Sequence, residues 1–349
     1  METLRLKENE IAKAAELIRA GELVAFPTET VYGLGADALN EEAVRSIYKA
    51  KGRPSDNPMI VHIATIEELA QLVDGGFDGV SDAALAAMHE FWPGPLTLVF
   101  RKSVIVPAVV TGGLDTVAVR MPAADIARQL IGEAGTPIAA PSANTSGRPS
   151  PTTAEDVLED MDGRIAAVIM GEQCDVGIES TVVDMTSEIP TVLRPGIITA
   201  EWLSNVIGGE VRYDESLYDK HADLEDPAAK FESGSSETAT SEAGPKSPGM
   251  KYKHYSPKAE VKLIEGTSED FAEKAIRLGA EDKASGRKAA ILEYGTDARK
   301  AAYKLFADLR ELDREGYDVV YIHALEETGF GFSVMNRMLK SAGYNVISL

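Results

Sequence analysis

The apolar positions change their spacing several times along the chain, and each change marks an element. Over residues 8–20 they recur at helical intervals and stop at Gly21. Residues 23–26 read as a strand entering a Pro27 turn, and residues 41–51 as a helix ended by Gly52 and Pro54. Further strands are expected at 59–62, 96–100, 116–120 and 180–184, and 137–140 reads as a buried strand. Strands and helices mix here without steady β-α alternation. The first unit, residues 1–209, is therefore expected to be α+β, built on a twisted mixed sheet.

Near the other end the pattern differs. Residues 261–264, 289–292 and 319–322 are short apolar runs, separated by helical segments at 271–278 and 298–312. That β-α-β-α spacing predicts a small, parallel, Rossmann-like α/β domain over 259–349. The connection, 210–258, lacks either pattern. From about 214 to 245 it holds nine Asp or Glu against two Lys, with few large apolar residues to offset the entropy of ordering. It reads as a flexible acidic linker. No internal repeat recurs at a fixed period.

Charge sharpens this picture. The 349 residues carry a formal net charge of −21, of which the acidic stretch supplies seven. A generally basic, phosphate-coating surface is excluded, so cations clustered in Gly/Pro-rich segments carry more information than they would in a basic protein. The single cysteine, Cys174, can form neither an intrachain disulfide nor a cysteine-rich zinc site. No apolar run is long enough to span a bilayer, and the first residues carry charge where a secretory signal needs apolar ones. A cytoplasmic protein without membrane contact is expected.

Four segments concentrate polar groups on Gly/Pro-rich backbone. Residues 26–35, Phe-Pro-Thr-Glu-Thr-Val-Tyr-Gly-Leu-Gly, read either as a turn or as a place where backbone approaches a ligand. Lys49, Lys51 and Arg53 alternate at a helix end; they complement the macrodipole or converge on a polyphosphate, and Arg53, beyond the terminating glycine, suits the second role better. Residues 141–152, Pro-Ser-Ala-Asn-Thr-Ser-Gly-Arg-Pro-Ser-Pro-Thr, read as a flexible tract or as a hydrogen-bonding cradle for an anion; their position after a buried strand favours the cradle. Arg120 and Arg194 each end an apolar run. There is no Gly-x-x-x-x-Gly-Lys-Ser/Thr loop and no His-Glu-x-x-His helix, and no Ser-His-Asp or Cys-His arrangement stands out. The Gly329-Phe330-Gly331 pair is too short for a dinucleotide fingerprint. Any ATP chemistry must use Lys, Arg and loop amides on another scaffold.

Taken in order, these segments resemble the YrdC-like family, in particular its two-domain threonylcarbamoyl-AMP synthases. The resemblance covers nearly all of the first unit. It rests on Lys51-Gly52-Arg53, Ser142-Ala143-Asn144, the Pro27–Leu34 segment, Trp92-Pro93-Gly94-Pro95-Leu96-Thr97 and Glu179-Ser180-Thr181-Val182-Val183-Asp184. Residues 247–257, Ser-Pro-Gly-Met-Lys-Tyr-Lys-His-Tyr-Ser-Pro, are similar to the linker motif of the long form, which implies that this part folds over the catalytic pocket.

The resemblance implies that L-threonine, bicarbonate or CO2, and ATP combine, with Mg2+ accompanying the phosphates, to give an acyl-adenylate and pyrophosphate. It assigns Thr30, His62, Arg120, Ala140 and Ser180 to threonine. Arg53, Asn57, Thr116, Ser142, Ser150, Arg194 and Tyr255 fall to the nucleotide. Lys51, Arg53, Ser142 and Asn144 form a catalytic tetrad, and no protein-held metal is implied. The product would pass to a separate transferase that modifies tRNA, and a weak RNA contact belongs among the expected partners. Two other readings stand beside this one. A non-catalytic RNA-binding module conflicts with the global charge. A hydrogenase-maturation carbamoyltransferase needs zinc fingers that one cysteine cannot supply.

Overall fold

The computed structural model describes residues 2–218 and 254–348. Among these, an eleven-stranded sheet runs in the order Leu4–Lys7, Ala167–Met170, Val24–Phe26, Gly33–Asp37, Ile138–Ala139, Ile60–His62, Thr116–Arg120, Leu96–Arg101, Thr181–Asp184, Thr191–Arg194 and Arg212–Tyr213. Parallel and antiparallel pairings interleave, so the sheet is mixed, as the irregular order of strands and helices predicts. Side chains alternate between its faces. Ala25, Val61, Val119, Ala139 and Val168 join the main core, under helices that include Glu41–Lys51 and Asp82–Phe91. On the opposite face, Val24, Phe26, Ile138 and Ile169 pack beneath helices Ile11–Arg19 and Asp125–Ala134. Beyond those two helices the same face carries a smaller cluster, Ile60, Val99, Ala118, Val182 and Leu193. Of this cluster, Ile60 also lines the cavity around which the polar segments gather.

The second sheet has four strands, all parallel, in the order Ala289–Leu292, Val319–His323, Glu260–Ile264, Val346–Ile347. Helix Ser268–Ala284 covers one face and helices Ala298–Arg314 and Phe330–Ser341 the other, giving the expected α/β sandwich. The Rossmann-like detail differs. In a doubly wound sheet the second strand pairs with the first, whereas here the third takes that place. Burial accounts for the exchange: all five residues of Val319–His323 are buried, while Ile291 of the second strand is exposed, as an edge permits.

The ordered chain also continues further than the acidic composition predicts. Within the stretch expected to be linker, Arg212–Tyr213 pairs with Thr191–Arg194 and Glu215–Tyr218 forms a 3-10 turn. Tyr213 and Tyr218 both touch the Phe332 ring, with centroids 5.0 and 5.9 Å away, although Tyr218 stays largely exposed. Most of the acidic run, and residues 247–253 of the linker motif, lie outside the described residues. No helix among the described residues is long and apolar enough to cross a membrane.

The two sheets are joined by direct packing. Val31 and Ile178 of the first unit belong to the same apolar cluster as Phe306, Leu309 and Met335 of the second. Gly177 has φ +84°, and a Cβ on it would lie 2.3 Å from the carbonyl oxygen of Ala302 in the facing helix. A G177A variant is expected to lose about 3 kcal/mol, from overpacking against backbone together with the left-handed conformation. Chemical denaturation checks this; a loss below about 1 kcal/mol would mean that the helix moves aside easily.

Candidate active site

The central strands fix the register of the site. His62 pairs across from Arg120 on one side and Ile138 on the other, which sets the imidazole and the guanidinium side by side. Arg120 is buried, with two nitrogens hydrogen-bonded and the third beside a carboxylate. Its Nη2 is 2.7 Å from Glu29 Oε1, its Nη1 donates to Thr30 Oγ1 (2.9 Å) and its Nε to the Gly94 carbonyl (3.2 Å). Thr30 in turn shares a hydrogen bond with Thr28 (2.9 Å) inside the turn at 27–32. Burial, and then the charge of Arg120, push His62 down to about 3, so it is neutral near pH 7. Its Nδ1 lies 3.2 Å from the Ile60 carbonyl.

The helix Glu41–Lys51 begins at Asn40, whose side chain accepts from the Ala43 N–H, and ends at Gly52, whose φ of +62° turns the chain inward. Lys51 is left inside at 3% exposure, while Lys49, the first of the three alternating cations, faces solvent outside the site. The Lys51 ammonium donates to the carbonyls of Ser142 and Asn144. Burial, then the nearby Arg53, hold it well below the ordinary lysine range. Arg53 Nη2 donates to the Pro58 carbonyl (2.8 Å). Ser142 Oγ donates to Asn144 Oδ1 (2.5 Å), and Asn144 Nδ2 to the carbonyls of Thr145 and Arg148 (2.8 and 3.0 Å). The loop after the buried strand is thus tied by internal hydrogen bonds rather than being a flexible tract.

Arg194 closes the third side. Its Nε and Nη2 donate to the Ser180 carbonyl (3.0 Å) and hydroxyl (3.1 Å), and burial pulls it down to about 10. Gly196 keeps this turn tight against the sheet: a Cβ there would sit 2.4 Å from the Thr181 nitrogen. Tyr255, at the visible end of the linker motif, is buried with φ +62° and stacks on Phe306 at 5.1 Å, while the N–H of Ser256 donates to the Gly147 carbonyl (2.8 Å). Burial and the adjacent Glu179 carboxylate push the Tyr255 hydroxyl up to about 12.

One cavity is lined by Thr30, Lys51, Arg53, His62, Arg120, Ala140, Ser142, Asn144, Ser150, Ser180, Arg194 and Tyr255. Two residues assigned to the nucleotide stand apart. Asn57 is buried beside Arg53, outside the lining, and gives its backbone carbonyl to Arg53 (3.3 Å) and to Tyr48 (3.1 Å). Thr116 shares the sheet face of Ala118 and Arg120 but lies four residues from Arg120, about 13 Å along the strand. The lining also includes Arg148, Glu179 and His254, which carry no assignment from the sequence. Five cations, Lys51, Arg53, Arg120, Arg148 and Arg194, thus face one carboxylate, Glu179. Arg148 is already paired with Glu159 (2.7 Å) and Asp160. The space between these side chains is about 60 Å³, far below the several hundred that a nucleotide occupies. Among the described residues no three His, Cys, Asp or Glu gather as metal ligands. Behind the turn at 27–32 lies Cys174, buried, its thiol pushed up to about 12 mainly by burial.

Comparison with known proteins agrees with this architecture. Residues 16–196 match the Sua5/YciO/YrdC family, described as telomere recombination, and residues 198–343 match the family described as threonylcarbamoyl-AMP synthase, C-terminal domain. A threonylcarbamoyl-AMP synthase of Pyrococcus abyssi (strain GE5 / Orsay) is 46% identical, over 99% of this chain and 97% of its own. One from Bacillus subtilis (strain 168) is 42% identical, over 99% and 96%. The crystal structure of P. abyssi Sua5 complexed with L-threonine superposes with a TM-score of 0.87 at 44% identity, covering 100% of both chains.

Proposed function

Because this chain belongs to the threonylcarbamoyl-AMP synthase family in its two-domain form, we propose that the cavity joins L-threonine, bicarbonate or CO2, and ATP into threonylcarbamoyl-AMP, releasing pyrophosphate. The observation that carries the reading is the gathering of five cations around one cavity in a chain of net charge −21. Two anions, a carbamate and a triphosphate, repel each other in water, and buried fixed cations are what bring them together.

In the first stage the threonine amine adds to CO2, giving an N-carboxylate and a proton, or to bicarbonate, giving the N-carboxylate and water. Arg120 takes the amino-acid carboxylate. Glu29, Thr30 and Gly94 fix the plane of its guanidinium, so little orientation remains to be lost on binding. Neutral His62, Ala140 and Ser180 complete the threonine end; an imidazolium there would add a second charge against the amine. In the second stage a carbamate oxygen attacks the α-phosphorus, a P–O bond forms, and the bond to the pyrophosphate leaving group breaks. Lys51, Arg53 and Arg194 offset the charge on the phosphoryl oxygens, while Ser142, Asn144 and Ser150, whose own donors are engaged within the protein, shape the wall beside them. Ile60 is the member of the small apolar cluster that lines the cavity, and the purine is assigned to that side, with Thr116 on the same sheet face and Tyr255 also in the lining. Asn57 acts behind Arg53, through its backbone carbonyl. Magnesium enters as part of the Mg–ATP substrate, since the cavity's one carboxylate is engaged by Ser150 and Arg337.

A volume of about 60 Å³ obliges part of the lining to move before ATP enters. The segment carrying His254 and Tyr255 belongs to neither sheet and is the part we assign to that motion. The adenylate would then be consumed by a transferase acting on a tRNA adenosine, with RNA contact weak. Incubating the protein with isotopically labelled threonine, bicarbonate and Mg–ATP is expected to yield an adenylate containing both label and AMP by mass spectrometry, with pyrophosphate released in equal amount. Pyrophosphate release that does not depend on threonine would overturn the reading.

A further inference from the structure

Glu179 is a buried carboxylate in a cavity otherwise suited to anions. Its Oε1 accepts from Ser150 Oγ (2.6 Å) and its Oε2 from Arg337 Nε (3.1 Å). Arg337 does not line the cavity. It stands on the second-domain helix Phe330–Ser341, with 0% exposure, and its Nη1 donates to the carbonyl of Pro195 (2.7 Å), next to Arg194. Its guanidinium also lies 5.8 Å from the centre of the Tyr255 ring. One turn earlier, Ser333 Oγ donates to the Gly196 carbonyl (2.7 Å). A single side chain of the second domain therefore touches three segments that surround the cavity.

We infer that Arg337 is a positioning residue, which neutralises Glu179 so that the donors of Arg194 not bound to Ser180 remain available to a phosphate of the nucleotide. The inference rests on the function proposed above. Burial alone would raise the Glu179 carboxyl; Arg337, and after it Arg194, outweigh burial and hold it below the ordinary range. Without Arg337, Arg194 becomes the principal cation left to a desolvated carboxylate. Glu179 then either draws that guanidinium into an ion pair or takes up a proton, and in the ionised form it repels the incoming phosphate. Lysine at 337 would keep the charge but could not span Glu179 and the Pro195 carbonyl together, because an ammonium lacks the planar fork.

The test compares R337Q, R337K and the double variant E179Q/R337Q with the full-length parent. It reads calorimetric affinity for Mg2+ with an α,β-methylene ATP analogue, the separate KM for ATP and kcat, and the thermal midpoint. R337Q is expected to weaken analogue binding about tenfold or more and to raise KM more than it lowers kcat. R337K should fall between R337Q and the parent. Removing the unpaired carboxylate in E179Q/R337Q should recover most of the lost affinity, which a merely structural contact would not do. If R337Q does not fold, E179Q/R337Q takes its place and must bind within about tenfold of the parent. Affinity in R337Q equal to the parent, loss in R337K as large as in R337Q, or a double variant no better than the single one, overturns the inference. A parent that releases no threonine-dependent pyrophosphate refutes the proposed function instead, so the two failures are distinct.

Discussion

A variant with Lys51 and Arg53 both replaced by alanine is expected to release threonine-dependent pyrophosphate at least about a thousandfold more slowly than the parent. Both cations are buried in the lining, at 3% and 6% exposure, where water screens them little. Charge stabilisation by one fixed donor in such a site is worth about 3 kcal/mol in mutational series, and losing two exceeds 4 kcal/mol even when their effects overlap. The fold should survive. Removing Lys51 relieves the desolvation of an ammonium but leaves the Ser142 and Asn144 carbonyls without their donor, and these effects oppose each other. Steady-state kinetics beside a denaturation curve provide the check; parent-like turnover in a folded double variant would remove the chemistry. The depressed Lys51 also sets a sign for pH: its charge is lost on the alkaline side earlier than that of a solvated lysine, and the fall in kcat/KM should begin correspondingly early.

The second large effect concerns the contact between domains. Arg310 and Asp160 form an ion pair at 2.9 Å in which both side chains have 0% exposure, and Arg310 also donates to the Pro149 carbonyl through Nε (3.0 Å) and Nη2 (2.7 Å). An R310A variant removes one of the two guanidiniums that hold a buried carboxylate and leaves the Pro149 carbonyl without its donors, a loss of about 3 kcal/mol. The thermal midpoint is expected to fall by roughly 5 °C. Arg148 and the Thr145 N–H remain on Asp160, so a loss below about 1 kcal/mol would show that they suffice. The pH dependence follows from the same pair. Burial alone would raise the Asp160 carboxyl, but Arg310 and Arg148 outweigh it and hold it below its usual value. A carboxylate with a depressed folded-state pKa stabilises the protein above its ordinary pKa and loses that contribution as pH falls through the depressed value. Parent stability should therefore decline on acidification, and the R310A curve should be flatter.

Arg310 and Arg337 also mark the limit of what the sequence disclosed. The helix Glu41–Lys51 and the strand Thr116–Arg120 were legible to the residue because strong local rules, a glycine cap and a period of two, agreed with tertiary burial. Twelve of the fourteen assigned residues line one cavity, since they sit in segments whose polar density on Gly/Pro backbone has few other uses. Asn57 and Thr116 lie outside the lining because position in a motif says nothing about which atom turns inward; Asn57 turns its backbone. The two arginines were missed for another reason. Each occupies an apolar stripe position on an amphipathic helix, Arg310 following Phe306 by four and Arg337 following Val334 by three, and a cation on a buried stripe was the available signal. Their partners are about 150 residues away, at Asp160 and Glu179, and no local pattern connects them. The strand order of the second sheet was equally non-local: spacing predicts parallel strands but not which one takes the centre.

Cys174 gives the molecule a practical property. A thiol held near 12 is almost wholly protonated at neutral pH, and the protonated form is a poor nucleophile. Maleimide and disulfide reagents should therefore pass this residue by while labelling a cysteine introduced on the outside of either domain. Pairs of dyes attached in this way, with no need to remove the native sulfur, could follow the distance between the second domain and the rim of the first as nucleotide arrives.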